Sequence, residues 1–283
     1  MVKASTVKPK ASHYDANYGN FESDLYSAIR REAFGEDLGQ NSWLTTDEQD
    51  RFIQQLALSP EKRLLDVGCG AGGPALRIAQ KTGCSVVGID VHEQAISAAR
   101  SLAERLGLAD RAEFRTVNAS GRLPFVDGEF DAITCIDAIN HLSDRPAVIA
   151  DWTRVLKTGG RLLFTDPITV TGPLTMDEIA RRSTAGFFLF VPAEYDRQVL
   201  ADCGLRLLVS DDVTGNTARI AQNRRQARAS REETLRKIEG DSNFEQQQAF
   251  LEIATRLAAE RRLSRFLYVA ETLKFSARSL GKK

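Results

Sequence analysis

Histidine and cysteine are scarce in this chain of 283 residues, which has three histidines and four cysteines. The cysteines are far apart and form no CxxC pair, so the sequence favours neither a cysteine-based metal site nor a disulfide framework. No apolar run approaches the roughly 18–20 residues that cross a bilayer, and the N-terminus lacks the apolar segment of a signal peptide. These features predict a reduced, cytoplasmic protein with no metal.

The chain also lacks an excess of either charge, since 38 Lys and Arg residues balance 38 Asp and Glu residues. No overall field therefore favours nucleic acid or an anionic membrane, and such a partner would need a local patch. The stretch 216–240 is locally basic and is interpreted as a solvated surface helix. The alternatives are a site for a carboxylate-bearing substrate or for RNA, although RNA is disfavoured because no aromatic residues are interleaved with the arginines. The basic residues are Arg219, Arg224, Arg225, Arg228, Arg231, Arg236 and Lys237.

From residue 63 onward, short β-rich runs alternate with longer helical runs, which is typical of βαβ units that wind a parallel sheet. The predicted strands are 63–67, 85–90, 112–117, 131–137, 160–165, 205–213 and 265–273. The predicted helices are 47–58, 74–82, 94–106, 145–156 and 193–203, with two further helical blocks at 216–240 and 243–263. Residues 169–192 have mixed periodicity.

A strand that runs into a glycine loop and then a helix is predicted at 64–74, LLDVGCGAGGP. Gly68, Gly70 and Gly73 match the dinucleotide pattern GxGxxG, so a nicotinamide-dependent oxidoreductase is one interpretation. Asp66 favours S-adenosylmethionine instead, because an acid before the first glycine suits an ammonium group better than a pyrophosphate. Asp90 ends the next strand, where a carboxylate accepts hydrogen bonds from ribose hydroxyls in either kind of enzyme.

Four motifs in the order LLDVGCGAGG, VVGIDV, FDAITCIDAINHL and RVLKTGGRLLFTDP resemble the class I S-adenosylmethionine-dependent methyltransferases over residues 63–166. The resemblance implies an α/β fold with a doubly wound, mostly parallel seven-stranded sheet of the Rossmann-like methyltransferase type and a helical cap. Asn118, where the family usually has Asp, would bind the adenine edge or else only begin a turn. The implied cofactor-binding residues are Asp66, Gly68, Gly70, Gly72, Asp90, Val91, Asn118, Ala119 and Ile136.

The end of the fourth strand is where an acceptor should meet the cofactor, because ligands of open α/β sheets bind at the carboxyl ends of strands. His141 follows this strand and suits proton removal near neutral pH, since its unperturbed pKa is about 6.5. The alternative is a capping or core histidine. Asp137 would bind a substrate amine or orient the cofactor, with a helix N-cap as the alternative.

The segment DAINHL, the N-terminal stretch from His13 and the sequence FTDP are similar to the phosphoethanolamine and sarcosine/dimethylglycine methyltransferases. In the first of these enzymes, the histidine of this motif and an N-terminal tyrosine form a catalytic latch, which implies His141 together with Tyr18 or, in competition, Tyr14. The resemblance implies N-methylation of a small amine and neither a nucleic-acid nor a membrane partner. The tyrosine and arginine set that grips phosphate in those enzymes is not evident between 169 and 195, which argues against a phosphorylated substrate.

Three alternatives stay open at this point: an O- or C-methyltransferase of a small metabolite, a nicotinamide-dependent oxidoreductase, and a binding protein without catalysis. The expected organisation is a flexible tail (1–12), N-terminal helices over the active site (13–60), a cofactor-binding core (61–168), the remaining strands with an inserted helical substrate cap (169–273) and a second tail (274–283). Aromatic side chains could face a cationic product or simply pack in the core. These candidates are Trp43, Phe187, Phe188, Phe190 and Tyr195.

Overall fold

A computed structural model of the protein describes residues 23–184 and 186–273. The helices are α1 (Asp24–Phe34), α2 (Thr46–Leu56), α3 (Gly73–Thr82), α4 (Glu93–Arg105), α5 (Arg145–Val155), α6 (Met176–Arg182), α7 (Tyr195–Asp202), α8 (Gly215–Ala229), α9 (Glu232–Glu239) and α10 (Asp241–Ala259). The strands are β1 (Arg63–Val67), β2 (Ser85–Asp90), β3 (Ala112–Thr116), β4 (Phe130–Ile136), β5 (Leu156–Val170), β6 (Val191–Pro192), β7 (Leu205–Asp212) and β8 (Leu263–Thr272).

The strands form one sheet in the order β3-β2-β1-β4-β5-β8-β7, and the two-residue β6 pairs with β5. The first five strands are parallel, whereas β8 runs antiparallel to both β5 and β7. This confirms the doubly wound, mostly parallel sheet, with β6 as an addition to the seven expected strands. The strand order reverses between β1 and β4, and such a reversal opens a crevice at the carboxyl ends of the strands.

The predicted core elements agree with the structure to within a few residues at most boundaries, but α6 was not predicted. This helix has only seven residues, too few to show a clear helical period. A capping box fixes its start, in which Thr175 Oγ1 accepts from the Glu178 backbone N–H and the Glu178 carboxylate accepts from the Thr175 N–H. Arg256 and Arg262 also bind Glu178 and tie α6 to distant parts of the chain.

Two apolar clusters cover the opposite faces of the sheet. Leu64 and Leu65, neighbours on β1, belong to different clusters, as the alternation of side chains along a strand requires. A third cluster joins α1 to the cap helices α8 and α10 through residues such as Phe34, Ile220 and Leu251. The N-terminal helix is therefore packed onto the cap.

The basic stretch is largely neutralised by carboxylates of the protein itself. Arg228, whose side chain is almost fully buried, pairs with Glu239, and Arg231 pairs with Glu32 of α1. Further pairs join Arg225 to Glu252 and Arg236 to Glu232, Asp241 and Glu245. These contacts stabilise the packing of α1, α8, α9 and α10 rather than presenting a continuous basic surface.

Within the ranges that the structure describes, no helix is both long and apolar enough to cross a membrane. The histidine, cysteine and acidic side chains of the same ranges form no cluster suited to a metal ion. All four cysteines are free thiols, and three of them are buried.

Candidate active site

A cavity of about 390 Å³ lies at the carboxyl ends of β1, β2 and β4. Its walls come from the glycine loop, from the turns after these strands, from residues 39–43 before α2, and from cap residues of α6, α8 and α10. Residues 37–43, which we call the strap, run beside the glycine loop, and residues 39–43 form part of the cavity wall. The cavity has two ends, a cofactor end at β1 and β2 and an acceptor end beneath the cap.

The glycine loop approaches the cavity closely at two positions. Gly68 and Gly70 have φ values of +72° and +54°, which favour glycine. A Cβ on Gly68 would lie 2.6 Å from the Cβ of Ala138, so a side chain does not fit there. Both glycines line the cavity, and their contact with the cofactor stays a prediction.

Gly73 and Gly72, at the end of the glycine loop, each approach another part of the fold closely. A Cβ on Gly73 would lie 1.4 Å from the carbonyl oxygen of Leu38. Only glycine at this position therefore lets the strap pack against the start of α3. Gly72 is the N-cap of α3, where a Cβ would lie 2.8 Å from the Cβ of Ala99, and it is not among the described residues that line the cavity. Its predicted contact with the cofactor stays a prediction.

Asp66 lies on the cavity wall and is only 6% exposed. Its carboxylate accepts a hydrogen bond from Thr134 Oγ1 at 2.7 Å, and burial raises its pKa to about 7. A buried carboxyl group of this kind is stabilised in its charged form by a nearby cation. The environment therefore suits the ammonium group for which the sequence nominated Asp66.

Asp90 anchors the glycine loop from the end of β2. Its Oδ2 accepts from the Gly70 N–H at 3.0 Å, and its Oδ1 accepts from the His92 N–H at 3.0 Å and lies 2.9 Å from His92 Nδ1. A carboxylate has about four acceptor sites, two on each oxygen, so one site on Oδ2 is left for a ribose hydroxyl. Val91 and His92 border the cavity beside it.

Asn118, Ala119 and Ile136 also line the cavity. The Asn118 side chain accepts from the Ser120 N–H at 2.9 Å, so it begins a turn. Both interpretations of Asn118 are thus compatible with its position, because a turn residue at the cavity wall can still offer its amide to a ligand. Together with Asp66, Asp90 and the glycine backbone, these residues fit a nucleoside that carries an ammonium group.

His141 lies in a 3₁₀ turn after β4, at the acceptor end of the cavity. Its Nδ1 lies 2.8 Å from the carbonyl oxygen of Phe187. A carbonyl only accepts, so Nδ1 carries the proton and Nε2 is the basic nitrogen. Burial lowers the pKa of His141 below its usual 6.5, and the charge of Arg182 adds to this effect. The imidazole is consequently neutral at pH 7.

Asp137 has φ +55°, an uncommon value for a residue other than glycine. Its Oδ1 accepts from Thr165 Oγ1 and from Arg265 Nε, both at 2.7 Å, and its Oδ2 accepts from the Trp43 N–H at 2.8 Å. The side chain is 3% exposed. The carboxylate thus connects the His141 turn to the strap and is not the N-cap of that turn, which is Ala138. Asp137 also lines the cavity, and its contact with a substrate amine or the cofactor stays a prediction.

The two candidate tyrosines, Tyr18 and Tyr14, lie outside the residues that the structure describes. Among the predicted aromatic side chains, Trp43, Phe187 and Phe188 line the cavity. Phe190 and Tyr195 are not among the described lining residues: Phe190 packs against an apolar cluster, and the ring of Tyr195 lies 5.9 Å from the Arg145 guanidinium.

The structure adds cavity residues that the sequence did not nominate individually. They include Arg182 of α6, Arg224 of α8, and Gln247 and Phe250 of α10. These helices are distant in sequence, and their local patterns carry no signal for a shared site. Only the basic composition of α8 pointed towards Arg224.

Comparison with known proteins agrees with this geometry. Residues 58–193 match a family model described as a methyltransferase domain. The 27-O-demethylrifamycin SV methyltransferase of Amycolatopsis mediterranei is 31% identical over 206 residues, which cover 69% of this chain and 75% of that enzyme. Phosphoethanolamine N-methyltransferase 3 of Arabidopsis thaliana is 32% identical over 181 residues, but these span only 36% of that protein and 64% of this chain.

The fold is shared with phosphoethanolamine N-methyltransferase 2 of Haemonchus contortus, solved with phosphomonomethylethanolamine and S-adenosylhomocysteine. The TM-score is 0.77 at 18% identity, with coverage of 93% of this chain and 60% of that one. These findings leave no support for the nicotinamide-dependent alternative. The chain therefore belongs to the S-adenosylmethionine-dependent methyltransferases, and S-adenosylmethionine is its cofactor.

Proposed function

We propose that this methyltransferase acts on a hydroxyl group of a small molecule and that His141 removes the hydroxyl proton. The observation that carries the proposal is the environment of His141, which is neutral, oriented by the Phe187 carbonyl and placed at the acceptor end of the cavity. A hydroxyl group is a weak nucleophile until a base takes its proton, whereas a neutral amine already has a lone pair.

When bound, S-adenosylmethionine supplies a methyl group on a positively charged sulfur. Asp66 would bind the ammonium group of the cofactor, and Asp90 would bind its ribose. Asn118 would reach the adenine. At the acceptor end, His141 Nε2 would receive the proton of the acceptor hydroxyl as the hydroxyl oxygen takes the methyl group, and it would release that proton to solvent after the product leaves.

N-methylation of an amine is the second candidate. Trp43, Phe187 and Phe188 line the cavity and offer aromatic faces that could stabilise a methylated, positively charged product. Among the relatives, the rifamycin enzyme is named for an oxygen acceptor and the plant enzyme for a nitrogen acceptor. Identification of the methylated atom decides between the two candidates.

Transfer of labelled methyl to a panel of phenols, alcohols and primary amines tests the proposal. We expect label in phenols or alcohols, and we expect His141→Gln to lower kcat by about 10²–10⁴-fold while binding S-adenosylhomocysteine normally. The control is Arg219→Met, a substitution at an exposed position of α8, which should change neither kcat nor the affinity for S-adenosylhomocysteine. Label that appears only in amines, or full turnover by His141→Gln, would contradict the proposal.

A further inference from the structure

The strap is fixed at both of its ends by contacts with other parts of the fold. At its start, the Asp37 carboxylate accepts from Arg30 Nε of α1 at 2.6 Å. At its end, the Trp43 N–H donates to Asp137 Oδ2 at 2.8 Å. Residues 39–43 line the cavity, so the course of the strap between these two contacts shapes the cavity wall.

The strap extends from the cofactor end of the cavity to the acceptor end. Near its start, the Leu38 carbonyl oxygen comes so close to Gly73 that a Cβ there would lie 1.4 Å from it. At its other end, the Trp43 ring stacks on Phe250 of the cap helix α10, with centroids 6.5 Å apart. The strap is therefore fixed by α1 and the glycine loop at the cofactor end, and by Asp137 at the acceptor end.

Asp137 has several partners besides the strap. Its N–H donates to Thr165 Oγ1 at 2.9 Å, and its Oδ1 accepts from Thr165 Oγ1 and Arg265 Nε, both at 2.7 Å. A residue other than glycine keeps a positive φ, here +55°, only where the surrounding contacts determine it, and such residues cluster at active sites. The contacts of Asp137 thus fix one geometry of the turn that carries His141.

Arg265 is fully buried and pairs with two carboxylates. Its Nε donates to Asp137 Oδ1 and its Nη1 donates to Glu48 Oε2, both at 2.7 Å. Glu48 belongs to α2 and is not among the described residues that line the cavity. Asp137 lines the cavity and accepts from the strap, so it is the carboxylate through which Arg265 reaches the active site.

We propose that Asp137 and Arg265 are positioning residues for methyl transfer. By holding the end of the strap against the turn after β4, they set the separation between Trp43 on the cavity wall and the imidazole of His141. This inference rests on the proposed function, since His141 is the base to which the acceptor is presented. Release of the strap leaves the cofactor bound but no longer holds the acceptor in line with the methyl group.

Two isosteric variants separate positioning from structural support. Asp137→Asn and Glu48→Gln each replace a carboxylate that lies 2.7 Å from the Arg265 guanidinium and is at most 3% exposed. In Asp137→Asn the amide oxygen should face the guanidinium, because charge-assisted hydrogen bonds are the stronger ones, so the amide NH2 faces the Trp43 N–H. Two donors do not bind each other, so this variant releases the strap. Glu48→Gln is the matched control.

Tryptophan fluorescence reports on the strap without any acceptor. Trp43 is 4% exposed, and the second tryptophan of the chain, Trp152, is fully buried. With S-adenosylhomocysteine bound, the acrylamide quenching constant should rise at least about threefold in Asp137→Asn, because a segment released at one end opens locally. The same constant should change by less than about 1.3-fold in Glu48→Gln.

Turnover of the acceptor found with the labelled panel is the second measurement. Asp137→Asn should lower kcat by about 10–100-fold, while the affinity for S-adenosylhomocysteine stays within about threefold of the wild-type value. Glu48→Gln should change kcat by less than about twofold. The pH at which kcat/KM becomes level should be the same in Asp137→Asn as in the wild type, because a positioning residue does not take the proton.

The outcomes separate this inference from the proposed function. Equal quenching of the two variants would overturn the inference, as would a kcat of Asp137→Asn within about twofold of the wild-type value. Unchanged quenching with at least about tenfold weaker binding of S-adenosylhomocysteine would overturn it in favour of the predicted contact between Asp137 and the cofactor. If no compound of the panel is methylated, the proposed function fails, and the quenching comparison still decides the inference.

A second variant replaces Asp137→Asn if that protein does not fold. Arg265→Lys keeps the positive charge, but an ammonium group lacks the planar fork that reaches both carboxylates. The same increase in quenching and the same loss of kcat are expected, and their absence would overturn the inference.

Discussion

The Nε atom of Arg265 lies 2.7 Å from Oδ1 of Asp137, and both side chains are almost fully buried. Arg265 belongs to β8, whereas Asp137 begins the turn that carries His141. The same guanidinium donates to Glu48 of α2 at 2.7 Å. One arginine therefore connects the last strand, the reacting turn and the helix that follows the strap.

We predict that Arg265→Met lowers the free energy of unfolding by about 3–5 kcal/mol, because it leaves two buried carboxylates without their cation. The measurement is urea unfolding at pH 7. Arg225→Met, which breaks a largely exposed ion pair with Glu252, should cost less than about 1 kcal/mol. A loss below 1 kcal/mol for Arg265→Met would show that the buried network does not stabilise the fold.

The pH dependence of turnover should report on His141. Burial lowers the pKa of its imidazole below 6.5. The neutral form is the base, so kcat/KM for the acceptor at saturating cofactor should rise with pH up to that lowered pKa and then become level. The His141→Gln variant should lack this rise. If kcat/KM rises with an apparent pKa clearly above 6.5 in both the wild type and His141→Gln, the pH dependence belongs to another group.

Substitution of Gly68 tests the close approach of the loop. Gly68→Ala places a Cβ 2.6 Å from that of Ala138 and forces an unfavourable φ, so S-adenosylhomocysteine should bind at least about tenfold more weakly. Gly107→Ala is the control, because Gly107 has φ +66° but no atoms within 4 Å of the added Cβ. Gly107→Ala should lower the free energy of unfolding but leave the affinity for S-adenosylhomocysteine unchanged.

The double change Gly68→Ala with Ala138→Gly removes the clash but keeps the backbone strain at Gly68. It should therefore recover part of the affinity, as measured by calorimetry. Equal affinities for the single and double variants would mean that the contact with Ala138 is not what limits binding.

Binding of S-adenosylhomocysteine should also be coupled to the ionisation of Asp66. Burial raises the pKa of this carboxyl to about 7, so it is mostly protonated at pH 6 and mostly ionised at pH 8. An ammonium ligand favours the ionised form, so binding should release a proton and strengthen as the pH rises through 7.

Calorimetry in two buffers of different ionisation enthalpy measures the released proton. Asp66→Asn should abolish both the release and the dependence of affinity on pH, and it should weaken binding at pH 8. Proton release that persists unchanged in Asp66→Asn would place the titrating group elsewhere. In the unliganded protein the raised pKa has the opposite effect, and stability should fall as the pH rises from about 4 to 7.

Local patterns were sufficient for the sheet and the cofactor end. Strand β1, the glycine loop and α3 are contiguous, so Asp66, Gly68 and Gly70 could be nominated from the sequence and are found on the cavity wall. The short helix α6 and the role of Gly73 could not be assigned, because both depend on contacts with remote segments. The sequence pointed to Asp137 as a site residue because it directly follows β4. Its ion pair with Arg265 could not be predicted, because the two residues are 128 positions apart in the chain.

The sequence by itself determined the family, the cofactor and the positions of the strands along the chain, because these depend on hydrophobic periodicity and on motifs that are continuous along the chain. Only the tertiary structure decided which side chains line the acceptor end of the cavity. Arg182, Arg224 and Phe250 lie on three separate helices, and their shared wall exists because α6, α8 and α10 pack over the strand ends. Side chains of this kind act through distance and burial, which a linear pattern does not contain.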